Sequence, residues 1–138
     1  MQPACTLTAS ASVAATEDPE RVRAALTAFF PGAPVEQEGA TLSVSTSDLA
    51  PLRQRIWELR IIDAARGQIL RGLEPDGAAT RFNLGKQAAF AGMLTFPPRP
   101  HALGELDVRL RTGEPGGAER LAWWLCPETR DGEIVGPH

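Results

Sequence analysis

Apolar and polar side chains alternate from Cys5 to Val13, with Cys5, Leu7, Ala9, Ala11 and Val13 on one side and Thr6, Thr8, Ser10 and Ser12 on the other. A period of two describes a strand with one buried and one solvated face. The period changes after Thr16-Glu17-Asp18-Pro19, where Asp18 can accept from free first-turn amides and Pro19 loses no needed donor. The helix that starts there puts Val22, Ala25, Leu26 and Phe29 on one stripe with Phe30 beside it, and Pro31-Gly32 ends it. A polar connection containing Gly39 leads to a second strand, Thr41 to Ser45, with Leu42 and Val44 on one face.

Ser47 or Asp48 caps the next helix, whose apolar stripe of Leu49, Leu52, Ile56 and Leu59 leaves Arg53, Arg55 and Arg60 outside. Helical periodicity resumes from Ile61 to Leu70, which gives two helices or one bent near Leu59, and Gly72 is expected to close it in a left-handed turn. Pro75-Asp76-Gly77 marks a turn before a strand from Ala79 to Leu84, a short helical turn from Lys86 to Ala91 and a strand from Met93 to Phe96. The run Pro97-Pro98-Arg99-Pro100 cannot pair in a sheet and is expected to be an exposed connector. Alternation returns from Glu105 to Arg111, with Leu106, Val108 and Leu110 on the buried side. After the loop Gly113 to Gly117 comes a short helix, Ala118 to Leu125, stopped by Pro127, and Asp131-Gly132 turns into a last strand, Glu133 to Val135. Irregularly interleaved strands with one wet face each predict an α+β fold, a two-layer sandwich of a mainly antiparallel sheet with helices on one face.

The length of 138 residues suits a single domain over positions 1–138, and no internal repeat or long linker divides it. The start of the chain lacks the pattern of a signal peptide, and no apolar run is long enough to span a membrane. Cys5 and Cys126 are too isolated for a zinc ribbon or a disulfide framework, so a reducing, cytoplasmic setting is expected.

Catalytic patterns fail on inspection. Gly85-Lys86 is followed by Gln87 and has no glycine at the spacing of a phosphate-cradling loop, so nucleotide hydrolysis is not implied. His101 and His138 have no partner at metal-ligand spacing, and Ser47, Asp48 and Asp131 are explained by caps and turns. The expectation is a protein that is not an enzyme and needs no cofactor or metal.

The chain carries a net charge of −3, so any attraction to phosphate must be local. Between Arg53 and Lys86 lie seven basic and four acidic residues, a segment of net +3 in a remainder of −6. Such a helix pair has the local charge density of a modest RNA-contacting face, or is simply a solvated surface with pairs such as Asp63 and Arg66. Lys86 is the one lysine among 14 basic residues, a bias that genome composition also explains. Adjacent Trp123 and Trp124 cannot both face inward, so one is expected in the core and the other at an edge or interface.

Four segments, in order, resemble an archaeal group, uncharacterised protein family 0201. They are Thr16-Glu17-Asp18, Ile62-Asp63-Ala64-Ala65-Arg66, the stretch Asn83-Leu84-Gly85-Lys86-Gln87-Ala88-Ala89-Phe90-Ala91-Gly92, and Trp124-Leu125-Cys126-Pro127-Glu128-Thr129-Arg130-Asp131-Gly132. The resemblance implies a fold similar to that of the ribosomal protein that contacts 5S ribosomal RNA, and a homodimer. Where the family usually has Asn-Lys-Gln, this chain has Gly85-Lys86-Gln87. Together these features predict an RNA-binding protein using Arg53, Arg60, Arg66, Lys86 and Gln87. The alternative is a protein-interaction or assembly module that contacts its partner through the exposed tryptophan and the strand from Glu105 to Arg111.

Overall fold

The computed structural model describes residues 2–97, 104–131 and 133–135. In chain order the elements are β1 (Thr6–Ser12), α1 (Pro19–Phe29), β2 (Glu36–Glu38), β3 (Thr41–Thr46), α2 (Ala50–Glu58), α3 (Ile62–Arg71), β4 (Ala79–Leu84), α4 (Lys86–Phe90), β5 (Leu106–Arg111), α5 (Gly117–Leu125), β6 (Thr129–Arg130) and β7 (Glu133–Ile134). Five strands form one antiparallel sheet in the order β2-β3-β1-β5-β4, and β6 pairs with β7 as a separate hairpin. The fold is the expected α+β class.

Alternation along the strands builds the core. Leu7, Ala9 and Ala11 of β1 lie between Leu42 and Val44 of β3 and Leu106, Val108 and Leu110 of β5, and all are buried. Phe82 and Leu84 of β4 extend the same face. Val22, Leu26 and Phe29 of α1, Leu52 and Ile56 of α2, Ile69 of α3 and Leu121 and Leu125 of α5 cover it. Each helix thus turns its apolar stripe to one side of the sheet, where burial removes the most apolar surface from water.

Local signals explain most boundaries. The Asp18 carboxylate accepts from the Glu20 amide at 3.0 Å, with Pro19 in the first turn of α1. At α2 the Asp48 carboxylate accepts from Ala50 N–H at 3.1 Å, while Leu49 takes the cap position and its own N–H reaches the Gln2 side chain at 2.8 Å. Two helices are seen, not one bent helix. Arg60 N–H donates to Trp57 O at 3.2 Å and Ile61 N–H to Ile56 O at 3.3 Å, a paired C-terminal closure that needs a left-handed residue. Arg60 supplies it with φ of 56° where glycine is usually favoured.

Four expectations are corrected. The connection around Gly39 contains β2, whose three exposed residues pair with β3. Likewise β6 was missed, because a two-residue strand has no readable period. Met93 to Phe96 is not a strand among the described residues; Gly85 N–H donates to Thr95 O at 2.9 Å without a ladder following. Gly72 is not left-handed, since its φ is −89°. Its glycine is required by close approach instead. The Gly72 carbonyl accepts from Arg81 N–H, and an added Cβ would stand 1.8 Å from the Arg81 carbonyl oxygen. Of the proline run, Pro98 to Pro100 lies outside the described residues, as do His101, Gly132 and His138.

Gly72→Ala is therefore expected to destabilise the protein by about 3 kcal/mol, the upper range for overpacking against backbone that cannot move aside. Chemical denaturation checks it, and a loss under about 1 kcal/mol would show that β4 is free to shift.

Candidate nucleic-acid interface

The last carbonyls of a helix have no partners within it, and those of α5 lie among residues of α2 and α3. Arg53 Nε donates to Trp124 O at 2.9 Å, Trp57 Nε1 to Leu125 O at 2.8 Å, and Arg66 Nε to Cys126 O at 2.9 Å. A second Arg66 nitrogen reaches Pro127 O at 2.7 Å. The Arg53 guanidinium lies 4.2 Å from the Trp57 ring centroid and 4.3 Å from that of Trp124. Arg66 lies 4.7 Å from that of Trp123. Cations at a helix C-terminus also oppose its partial negative charge. Arg53 and Arg66, expected to contact RNA, are thus engaged in holding α5 to α2 and α3. The expected division of the tryptophans holds, with Trp124 packed against the core and Trp123 43% exposed.

Lys86 is not on the surface. It is 1% exposed, and its ammonium donates to Ser12 O at 2.8 Å and to Glu17 Oε1 at 3.0 Å. The same carboxylate oxygen accepts from Ala14 N–H at 2.9 Å, so the pair joins the start of α4 to the loop between β1 and α1. A buried charge needs such partners because its hydration is lost. Gln87, one residue on, is exposed on α4, and Arg60 is exposed at the joint of α2 and α3. The five expected residues are therefore divided between the interior, the end of α5 and two separate surface positions.

The face of the sheet away from the core carries a different cationic group. The register aligns Ser45 of β3, Thr8 of β1, Arg109 of β5 and Arg81 of β4 in one row. The neighbouring rows contain Ser43, Ser10, Asp107 and Asn83, and Thr6, Arg111 and Ala79. A shallow depression of about 580 Å³ lies over Thr8, Ser10, Arg81, Asn83, Asp107 and Arg109. Arg81 and Arg111 are exposed, while Arg109 donates to both carboxylate oxygens of Glu74 at 3.1 Å. Burial and the neighbouring Glu105 push the Asp107 carboxyl up, against the pull of Arg81 and Lys86. On the far margin β2 presents Glu36 opposite Ser43 and Glu38 opposite Thr41.

Other chemistry is sparse. Among the described residues no group of three His, Cys, Asp or Glu side chains could hold a metal ion. Burial pushes the Cys126 thiol up to about 12, which leaves it an unreactive core group at neutral pH. No helix among the described residues is long and apolar enough to cross a membrane.

A polar, arginine-bearing sheet face opposite five helices defines a two-layer α+β protein with an open sheet surface. No family model matches the chain. It is, however, 34% identical to a UPF0201 protein of Methanosarcina acetivorans, over 91% of this chain and 87% of that protein. Two crystal structures of UPF0201 proteins are also similar. One, from Methanococcus jannaschii, has a TM-score of 0.81 and 26% identity, covering 95% of this chain and 99% of that one. The other has a TM-score of 0.79 and 27% identity, covering 94% and 99%. The chain belongs to the UPF0201 family, as the four segments implied.

Lys86→Met is expected to destabilise the protein by about 3–5 kcal/mol, because it strands a buried carboxylate, and the double change with Glu17→Leu should cost less than the single one. Denaturation of both variants checks this; equal losses would remove the ion pair from the account. A second expectation concerns pH. A hydrogen bond from Thr129, and then Arg66, hold the Asp63 carboxyl below its ordinary value, tying the β6–β7 hairpin to α3. That anchoring is complete above the unfolded value of about 3.9 and is lost as pH falls through the depressed folded value. Hairpin amide protection, taken relative to the intrinsic exchange rate at each pH, should fall over that range in the parent protein but not in Asp63→Asn, and identical profiles would contradict the assignment.

Proposed function

We propose that this protein is a non-enzymatic, cytoplasmic RNA-binding protein that holds the phosphate–ribose backbone against the open face of its sheet. One observation carries the reading: Arg81, Arg109 and Arg111 stand together beside threonine and serine hydroxyls on a chain whose net charge is −3. Guanidinium groups match phosphate oxygens in geometry and charge, and hydroxyls add neutral hydrogen bonds. Local charge of this kind supplies affinity without a basic molecule as a whole. The free state of Cys5 and Cys126 fits a reducing compartment.

The helix-face version of the reading has less support, since Arg53, Arg66 and Lys86 already have intramolecular partners. Arg60 and Gln87 remain available as outlying contacts. A second reading, self-association as a homodimer, is favoured by the exposed Trp123 on the outer side of α5. The exposed tryptophan and the polar side of β5 lie on opposite faces of the sheet, so they would serve separate contacts.

The test is a titration of purified protein with ribosomal and transfer RNA at low salt, followed by rising salt. Two exposed arginines predict a plot of log affinity against log salt with slope of roughly −2. The double change Arg81→Glu/Arg111→Glu should abolish binding and leave stability within about 0.5 kcal/mol, as for exposed surface positions. Absence of binding at low salt would end the proposal, and concentration-dependent sedimentation without RNA would favour self-association.

A further inference from the structure

We infer that the RNA held by this face is double-helical and is recognised by its backbone and 2′-hydroxyls, not by its base sequence. The inference rests on the RNA-binding reading above and names the ligand class for the same surface.

The side chains that face outward from the five strands include no aromatic ring. Proteins that take single-stranded RNA stack its splayed bases on aromatic side chains, so this face lacks the means to hold them. Most rings of the described residues are engaged elsewhere, and the exposed Trp123 stands on α5 in the helical layer. Phe29, Phe30 and Phe82 are buried, Phe90 lies under Arg21, and Trp57 and Trp124 enclose Arg53. A base cannot reach most of them from the sheet side.

What the face does present is sorted by strand. Arginines stand on β4 and β5, hydroxyls on β1 and β3, and glutamates on β2. Phosphates are drawn to the first margin and repelled from the last, which orients a bound backbone along β4 and β5. The central hydroxyls of Thr8, Ser10, Ser43 and Ser45 then meet the ribose edge, where each both donates to and accepts from a 2′-hydroxyl. Neighbouring strands lie about 4.8 Å apart, so β4 to β3 spans about 14 Å of polar surface. The face thus meets one strand of an A-form duplex, its backbone along β4 and β5 and its ribose edge toward the wide, shallow minor groove, and it cannot enter the deep, narrow major groove. Asp107 and the Glu74 partner of Arg109 offset part of the positive charge, so affinity should be modest and salt-sensitive.

The test uses fluorescence anisotropy at low salt with the full chain and four probes of about 20 nucleotides or base pairs: single-stranded RNA, two RNA duplexes of unrelated sequence, and a DNA duplex. Both RNA duplexes should bind equally and more tightly than the single strand, and about tenfold tighter than the DNA, as two net hydroxyl hydrogen bonds would give. Thr8→Val with Ser10→Ala, at strand positions that face away from the core, should bring RNA and DNA duplexes together in affinity. Arg81→Gln should weaken both duplexes alike. Equal or tighter binding of single-stranded RNA would overturn the inference and leave the RNA-binding reading standing. Equal binding of duplex DNA, or unchanged discrimination in the hydroxyl variant, would also overturn it. Failure to bind any probe would remove both.

Discussion

A helix that ends inside a protein must find donors for its last carbonyls, and α5 finds them in Arg53, Trp57 and Arg66. The consequences spread through the molecule. Three side chains from α2 and α3 converge on four consecutive carbonyls, so the register of these helices against α5 is set by directional bonds as well as by apolar packing. The guanidinium of Arg53 lies against two tryptophan rings while its Nε is spent on the Trp124 carbonyl, so its orientation is set by the end of α5. Charge that looks available in the sequence is committed to architecture.

Lys86 repeats the pattern at the other end of the helical layer. A lysine suits the place because a compact ammonium fits between a backbone carbonyl and one carboxylate oxygen, where a planar guanidinium would need more room. Its position beside Gly104 is equally close, with an added Cβ there standing 3.7 Å from the ammonium nitrogen. The single lysine of an arginine-rich chain thus has a structural reason in packing. With Arg53, Arg66 and Lys86 occupied, Arg81 of β4 and Arg111 of β5 are exposed arginines that share one surface.

Much of the fold was legible because burial imposes period on sequence. The alternation in β1 and β5, the Asp18-Pro19 start of α1 and its stripe of Val22, Ala25, Leu26 and Phe29 all reflect which atoms leave water. Elements defined by pairing alone were not legible. Glu36 to Glu38 is exposed throughout and is a strand only because β3 lies beside it. Met93 to Phe96 has the apolar content of a strand but lacks a partner ladder. Gly72 was correctly marked as special for the wrong reason, since a close approach to β4 leaves no local trace. The site was harder still. Arg109 and Arg111 were visible as the polar half of an alternating strand, but Arg81 joins them only through the register of β4 with β5. Arg53 and Arg66 were conspicuous at exposed-looking helical positions, and their partners lie more than fifty residues away in sequence.

In the proposed mode of binding the helical cations Arg53, Arg66 and Lys86 serve the fold and RNA meets the open sheet face. Backbone amide chemical shifts recorded while duplex RNA is added test it most directly, because every described strand and helix reports at once. Shifts are expected along β1, β4 and β5, centred on Thr8, Arg81 and Arg109, with α2, α3 and α5 largely unmoved. Shifts centred on Arg53, Arg60 and Arg66, with the sheet silent, would contradict it.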